Sequence, residues 1–322
     1  MGSVVSIDVS LSNIWRSWYT FVRGKKRNRD LDIFTYSLEE NLLQLSHDLS
    51  TGNYRHGPYR SFLITDTKQR VISVASLRDR VVHRLLYTYL LQIFDHTFIY
   101  DAWSCRTGKG LLGAITRTEA LLDTYRYAYV WRGDITKFFD SVDQQTLKSK
   151  IRQRVHDSYA LQLIDTVIGS FSKYVPGTGI PIGNLTSQVF TNIYLGEFDR
   201  YILHTIKPLA YVRYGDDFLV IMNSRNHLEL CREHLIVYLD QILKLTIHAK
   251  NNIIVPTGQG VHFLGCDIYP TGRRIQKKMY ERITRRINFS NSSSYRGLLL
   301  AHSKQNIVKW IDYNIVEMLD QI

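Results

Sequence analysis

The chain has 322 residues and a formal net charge of +12. That length supports two or three subdomains with a sizeable core, and the charge points to an anionic partner. No apolar run approaches a membrane span, no signal-peptide core opens the chain, and Cys105, Cys231 and Cys266 form no CxxC pair, so the expectation is a cytoplasmic nucleic-acid partner without membrane insertion, structural zinc or a disulfide framework.

Residues 11–51 read as helical. Residues 13–22 are amphipathic, and the basic run Arg23, Lys25, Lys26, Arg27, Arg29 follows, either a solvated face or an RNA contact. Leu38, Leu42, Leu45 and Leu49 keep helical spacing up to Gly52. Residues 59–74 alternate and predict a hairpin turning near Asp66-Thr67-Lys68-Gln69, with Lys68 and Arg70 at the turn. Leu77-Arg78-Asp79-Arg80-Val81-Val82-His83 opens a helix running to Phe94. Arg78 and Arg80 lie at its N-terminus, the unfavourable end for cations, so they meet an anion there or join an Arg–Asp network around Asp79. Ser104 to Gly110 is a glycine-flanked basic loop without P-loop spacing, where Arg106 or Lys109 could contact a phosphate backbone.

Residues 127–134 form an apolar strand ending in Asp134, and a helix through Val155 follows. Asp140 or Ser141 is the expected cap, which leaves Asp134 without a structural duty. The glycine-rich residues 176–184 lead into a helix with Leu185, Val189, Ile193 and Phe198 on one face. Residues 211–222 predict a second hairpin with the turn Gly215-Asp216-Asp217. Two carboxylates this close raise each other's pKa unless a cation lies between them. A helix over 227–243 and a strand over 261–269 come next. From Thr271 to Lys309 there are ten Lys or Arg and one acid, and the pairs Arg273-Arg274, Lys277-Lys278 and Arg285-Arg286, with Arg282, read as a helical backbone-binding surface.

Asp134 at a strand end, the Asp216-Asp217 hairpin, the glycine loop before a helix and the basic tail stand in polymerase order. Here the sequence resembles the reverse transcriptases. Asp134 to Phe139 is similar to their first palm motif, Tyr214-Gly215-Asp216-Asp217 to their YxDD motif, and Phe263-Leu264-Gly265 to their primer grip. Ile182-Gly183-Asn184-Leu185-Thr186-Ser187-Gln188 departs from the usual Gln-Gly and Ser-Pro. That departure, with Leu77 to His83, resembles the reverse transcriptases of diversity-generating retroelements of bacteria and their phages. Group II intron enzymes share part of the second motif.

The resemblance implies an α+β right-hand polymerase. Residues 1–52 are expected as an N-terminal helical extension, 53–125 as fingers and the start of the palm, 126–270 as an antiparallel palm with a fingers segment at about 150–182, and 271–322 as a short basic helical thumb. It implies two Mg²⁺ ions, with Mn²⁺ able to substitute, held by Asp134, Asp216, Asp217 and the Ile135 carbonyl; such ions activate the primer hydroxyl and stabilise the phosphorane-like charge. By the same resemblance Lys250 protonates pyrophosphate, Lys68 and Arg70 hold the triphosphate, Phe139 gates the ribose 2′-hydroxyl, and Ile182, Gly183 and Gln188 face the incoming nucleotide. Arg78, Arg80, Arg106, Lys109 and the basic tail would line the nucleic acid. The implied partners are template RNA, cDNA, dNTPs and a pentameric basic accessory protein, the accessory variability determinant. Competing readings are a retron or intron reverse transcriptase, an RNA-dependent RNA polymerase and an inactive RNA-binding relic. Phe139 occupies the place where an RNA polymerase usually carries a second Asp.

Overall fold

A computed structural model describes residues 5–65, 69–288, 291–302, 309 and 313. In chain order these residues form α1 (Leu11–Val22), α2 (Arg29–Tyr36), α3 (Leu38–Ser50), β1 (Arg60–Thr65), β2 (Gln69–Val74), α4 (Leu77–Phe94), α5 (Leu111–Thr124) and β3 (Tyr129–Asp134). Then come α6 (Phe138–Ser141), α7 (Gln144–Arg152), α8 (Ser158–Gly169), α9 (Leu185–Tyr201), β4 (Ala210–Tyr214), β5 (Asp217–Met222) and α10 (Arg225–Leu243). β6 (Ile253–Pro256), β7 (Val261–Phe263), β8 (Cys266–Tyr269), β9 (Gly272–Ile275), α11 (Lys277–Arg286) and α12 (Ser292–His302) complete the series.

Two compact units emerge, each assembled from three stretches of chain. The first comprises Met1–Tyr100, Thr136–Arg200 and Tyr238–Thr246. Its helical start follows from the sequence pattern: Ser10 caps α1, and α1 buries Ile14, Trp18 and Phe21 while α3 buries Leu42, Leu45 and Leu49. β1 and β2 pair antiparallel, with Thr65 opposite Gln69. Asp66, Thr67 and Lys68 of the expected turn lie outside the described residues.

The Asp79 motif serves the core of this unit. Asp79 is 1% exposed. Its carboxylate accepts from the Tyr54 hydroxyl at 2.8 Å, the Ser76 hydroxyl at 2.7 Å and the Gly57 N–H at 3.1 Å. The expected Arg–Asp network is therefore corrected in its partners: Arg78 reaches Asp48 at 2.5 Å instead, from a place over the Tyr54 ring. One turn along α4, His83 Nδ1 meets the Thr186 hydroxyl at 2.6 Å and His83 Nε2 meets His56 Nε2 at 3.0 Å. His56 Nδ1 lies 2.6 Å from the Gly57 carbonyl, which can only accept. With both rings neutral, one assignment satisfies every contact: Thr186 donates to His83, His83 to His56, and His56 to Gly57.

Burial, with the neighbouring His56, pushes His83 down to about 3. The ordinary histidine value is about 6.5. An unfolded chain thus takes up a proton that the folded chain refuses. The stability from neutral His83 is present above pH 6.5 and drains away as pH falls towards 3, by up to ~1.4 kcal/mol per pH unit. In urea titrations between pH 7 and 4, the parent chain should lose stability more steeply than His83→Gln. Parallel curves would remove His83 from this account.

The second unit comprises Asp101–Ile135, Tyr201–Val237 and Ile247–Ile322. Its main sheet has the order β4-β5-β3-β6, antiparallel throughout. A second sheet has the order β7-β8-β9. Val130, Val212, Leu219, Ile221, Phe263 and Ile268 meet Ile115 and Leu122 of α5 in one buried cluster.

Four expectations are corrected here. Asp143, not Asp140 or Ser141, caps α7, accepting from the Thr146 N–H at 2.8 Å, and the helix stops at Arg152. The turn of the second hairpin is Gly215-Asp216 alone, because Tyr214 pairs with Asp217, the first residue of β5. Residues 261–269 are a hairpin rather than one strand. Leu264 and Gly265 both take positive φ (52° and 82°), the primed geometry of a two-residue turn, without the usual Asn-Gly signal. Finally, Arg273 and Arg274 sit on β9, not on a helix.

Candidate active site

β3 and β5 bring the first carboxylates together. Antiparallel pairing runs from Tyr129 opposite Met222 to Asp134 opposite Asp217. Asp216 lies in the adjacent turn, and its carbonyl accepts from the Ile135 N–H at 3.3 Å. Gly133 permits this packing: a Cβ there would come within 2.3 Å of the Phe218 ring, itself fully buried edge-on to Trp131. Substitution at Gly133 would therefore push apart the two strands that carry the carboxylates.

The segment after α10 fixes Asp134. The Asp134 carbonyl accepts from the His248 N–H at 2.7 Å, and its Oδ2 accepts from the Asn251 side-chain amide at 2.5 Å. The next residue, Asn252, accepts from the Trp131 indole at 2.8 Å. Lys250 belongs to the same short turn and is solvent-exposed.

Arg132 forks onto Asp217, with Nε to Oδ1 at 3.1 Å and Nη2 to Oδ2 at 2.9 Å. The Asp217 side chain is only 15% exposed. Burial pushes its pKa up to about 6; Arg132 opposes that rise, while Asp134 and Asp216 add to it. Desolvation therefore outweighs the mutual repulsion expected from sequence.

The hairpin tip is braced from below. Arg213 is fully buried and donates to the Gly215 carbonyl at 2.9 Å, while the Gly215 N–H donates to Ser104 Oγ at 3.0 Å. The Ser104 loop thus has a structural duty. Within it, Arg106 donates to the Ala102 carbonyl and Lys109 lies 4.0 Å over the Trp103 ring.

Among the described residues no three His, Cys, Asp or Glu side chains form a ready-made metal cluster. The donor chemistry nevertheless fits a hard cation. Asp134, Asp216 and the Ile135 carbonyl offer only oxygen. The carboxylate charge felt by Asp217 is what a divalent ion would neutralise.

The nucleotide-side candidates belong to the first unit. Phe138 is buried and Phe139 is half-buried at 5.4 Å from it, so Phe138 is the core member of the pair. The Ile182 carbonyl accepts from the Ser73 N–H at 3.0 Å. Asn184 closes the contact, donating to the Ser73 carbonyl at 2.7 Å and accepting from the Ala75 N–H at 3.1 Å. β2, which carries the exposed Arg70, is thereby fixed to the Ile182-Gly183 loop. Ile182 is half-buried, whereas Gly183 and Gln188 are exposed. In the tail, Arg273 pairs with Glu119 at 2.8 Å and Arg274 with Asp267 at 3.3 Å. Lys277 and Arg285 both approach Glu281 on α11, which also carries Lys278, Arg282 and Arg286.

Sequence reasoning missed Arg132, Asn251 and Asn184. Arg132 had a signal: two residues before Asp134 on a strand, it shares that residue's face and reaches diagonally to Asp217. The two asparagines had none, because their partners are backbone or side-chain groups far along the chain.

Fold and comparisons agree. The chain resembles telomerase from Candida albicans in complex with a fragment of telomeric RNA, with a TM-score of 0.52 at 13% identity, covering 77% of this chain and 51% of that one. Apo telomerase from Candida tropicalis gives a TM-score of 0.52 at 12% identity, over 82% of this chain and 56% of that one. The fold is that of a right-hand polymerase, mixed α and β. The model of the reverse transcriptase (RNA-dependent DNA polymerase) family matches residues 64–268, and the chain belongs to that family. It therefore carries an RNA-directed DNA polymerase domain, a nucleotidyltransferase of a class that works with divalent metal ions. Among curated proteins, Protein YkfC of Escherichia coli K12 is 26% identical over 265 residues, 69% of each chain. The group II intron-encoded protein LtrA of Lactococcus lactis subsp. cremoris is 21% identical over 300 residues, 71% of this chain and 50% of its own. The chain thus spans about half the length of LtrA and of the telomerase chains.

Proposed function

We propose that this chain makes cDNA from a template-repeat RNA with frequent errors at template adenines, as the reverse transcriptase of a diversity-generating retroelement. The observation that carries this finer reading is the segment Ile182-Gly183-Asn184-Leu185-Thr186-Ser187-Gln188. Ile182 cannot offer the side-chain hydrogen bonds of a glutamine, and its loop is fixed to β2 through Ser73 and Asn184. A pocket that holds the nucleotide by shape alone discriminates weakly between bases.

In this reading Asp134 and Asp216, with the Ile135 carbonyl, hold two Mg²⁺ ions, for which Mn²⁺ can substitute. Bound there, the ions would polarise the primer hydroxyl and balance charge at the transferred phosphorus. Asp217, forked by Arg132, orients the hairpin and adds negative charge. Asn251 fixes the rotamer of Asp134. Phe139 excludes a 2′-hydroxyl, Lys68 and Arg70 hold the triphosphate, Gly183 and Gln188 line the nucleotide, and Lys250 donates a proton to pyrophosphate. Arg78, Arg80, Arg106, Lys109 and α11 carry the nucleic acid. Residues 1–52, 53–125, 126–270 and 271–322 serve as N-terminal extension, fingers, palm and thumb, with about 150–182 returning to the fingers. No described helix is long and apolar enough to cross a membrane. The work place is the cytoplasm of a bacterial host, beside a pentameric basic accessory protein.

The similarity to LtrA favours a second reading, an intron-type enzyme with ordinary fidelity. Sequencing cDNA made by the parent chain and by Ile182→Gln on one adenine-bearing RNA separates the two. The expected result is adenine-specific misincorporation in the parent and a fall of about tenfold in the variant, the scale of one polar contact. Equal, low error rates in both would leave the intron-type reading. Extension with dNTPs but not NTPs tests the sugar choice in the same assay.

A further inference from the structure

We propose that Lys25, Arg80 and Arg84 form a binding site for the phosphodiester backbone of an RNA strand. The inference rests on the reading that this chain copies RNA, and it adds a contact surface to which the carboxylates do not contribute. All three residues belong to the first unit.

Phe21, at the end of α1, is the floor of the site. Lys25 Nζ lies 4.7 Å from its ring centre and the Arg80 guanidinium 5.9 Å. Arg84 follows Arg80 by one helical turn on α4, with its guanidinium 5.5 Å from the Tyr87 ring. Arg84 Nε is buried and has no hydrogen-bond partner among the described residues. A buried guanidinium N–H without an acceptor is costly, and proteins leave few of them.

The charges around the site do not cancel it. Asp30 is the acid that Arg80 senses, and Asp30 also pairs with Arg60 at 3.2 Å. Burial pulls the Lys25 pKa down, and Arg80 and Arg84 pull it further. Burial lowers Arg84 as well, opposed by Tyr87. Arg78 on the same helix differs in already having a carboxylate partner, Asp48 at 2.5 Å. Two cations over the Phe21 ring and a third one helical turn along α4, repelling each other and leaving a buried donor unused, form a site built for an anion. Arg80 and Arg84 are separated by ~6 Å along the helix axis. That spacing suits successive phosphates of a strand better than one terminal phosphate group.

The test uses the full chain and a labelled single-stranded RNA, with binding measured by fluorescence anisotropy across a salt series. Lys25→Gln and Arg84→Gln are each expected to weaken binding and to make the slope of log K against log salt shallower by about 0.7. Arg225→Gln, which breaks an exposed pair with Glu229 on α10, is the control and should leave the slope unchanged. Melting temperatures add a readout of opposite sign. Removing one of three repelling cations should leave the melting temperature unchanged or raise it, whereas a structural role would lower it. Unchanged salt slopes would overturn the proposal, as would a fall in melting temperature that accounts for the lost binding. A raised dNTP KM with intact RNA affinity would also overturn it, assigning the cluster to a triphosphate. Primer extension by the parent chain reports on the polymerase reading separately: extension by the parent with unchanged salt slopes in the variants would overturn this site alone.

Discussion

Asp134→Asn is expected to abolish primer extension, by ~10³-fold or more, without costing stability. An ion that balances charge on a transferred phosphoryl group contributes several kcal/mol to the barrier, and an amide cannot hold it as a carboxylate does. The shape survives the change. Asn251 still finds an oxygen to donate to, and the backbone bond from His248 is untouched. Asp134 is one of the charges that push Asp217 upward, so its removal relieves repulsion at β5. The paired measurement is steady-state dNTP incorporation on an RNA template beside a thermal melt. Activity within about tenfold of the parent would exclude Asp134 from the metal site.

Asp79→Ala should show the opposite signature, a loss of fold before any loss of chemistry. Three donors converge on a carboxylate that is 1% exposed: the Tyr54 hydroxyl, the Ser76 hydroxyl and the Gly57 N–H. Truncation leaves them without an acceptor in a dry interior. The expected cost is ~3–5 kcal/mol, read as a lower urea midpoint for the first unfolding transition. Asp79→Asn keeps two acceptor lone pairs and should cost less. A midpoint unchanged by the alanine substitution would show that water reaches these donors.

Much of this organisation was legible in the chain itself. Periodicity placed α4 at Leu77 to Phe94 and the first hairpin at residues 59–74, because core-facing apolar residues recur wherever an element has one buried face. The Asp134, Asp216 and Asp217 pattern was legible because these carboxylates sit on or beside apolar strands whose pairing is set by alternation. What escaped was set by tertiary geometry. The reversal at Leu264-Gly265 uses a leucine at φ 52°, which no turn propensity announces. Asp143 rather than Asp140 caps α7 because the chain first closes the short turn α6, which moves the helix start downstream. Arg273 and Arg274 read as tail charges, yet their pairing with Glu119 and Asp267 depends on sheet register. The buried His56–His83 contact joins residues 27 positions apart and could not be seen from spacing alone.

The interleaving of the two units also governs how the protein is made. The first unit is closed by Tyr238–Thr246, which brings the buried Leu239, Leu243 and Leu245. Leu243 also supplies the carbonyl that satisfies the Tyr194 hydroxyl, and Lys244 the ammonium beside Asp143. A nascent chain that has reached Arg200 must wait for 37 more residues before this closing segment begins. At ~5–20 residues per second the ribosome takes roughly 2–8 s over that interval. During it Tyr194 and Phe198 of α9 lack their final cover, since Tyr238 packs 6.0 Å from Phe198 only after it emerges. The emerging polymerase therefore exposes part of its core to chaperones at a defined length, and a fragment ending near residue 230 should be captured by them rather than fold.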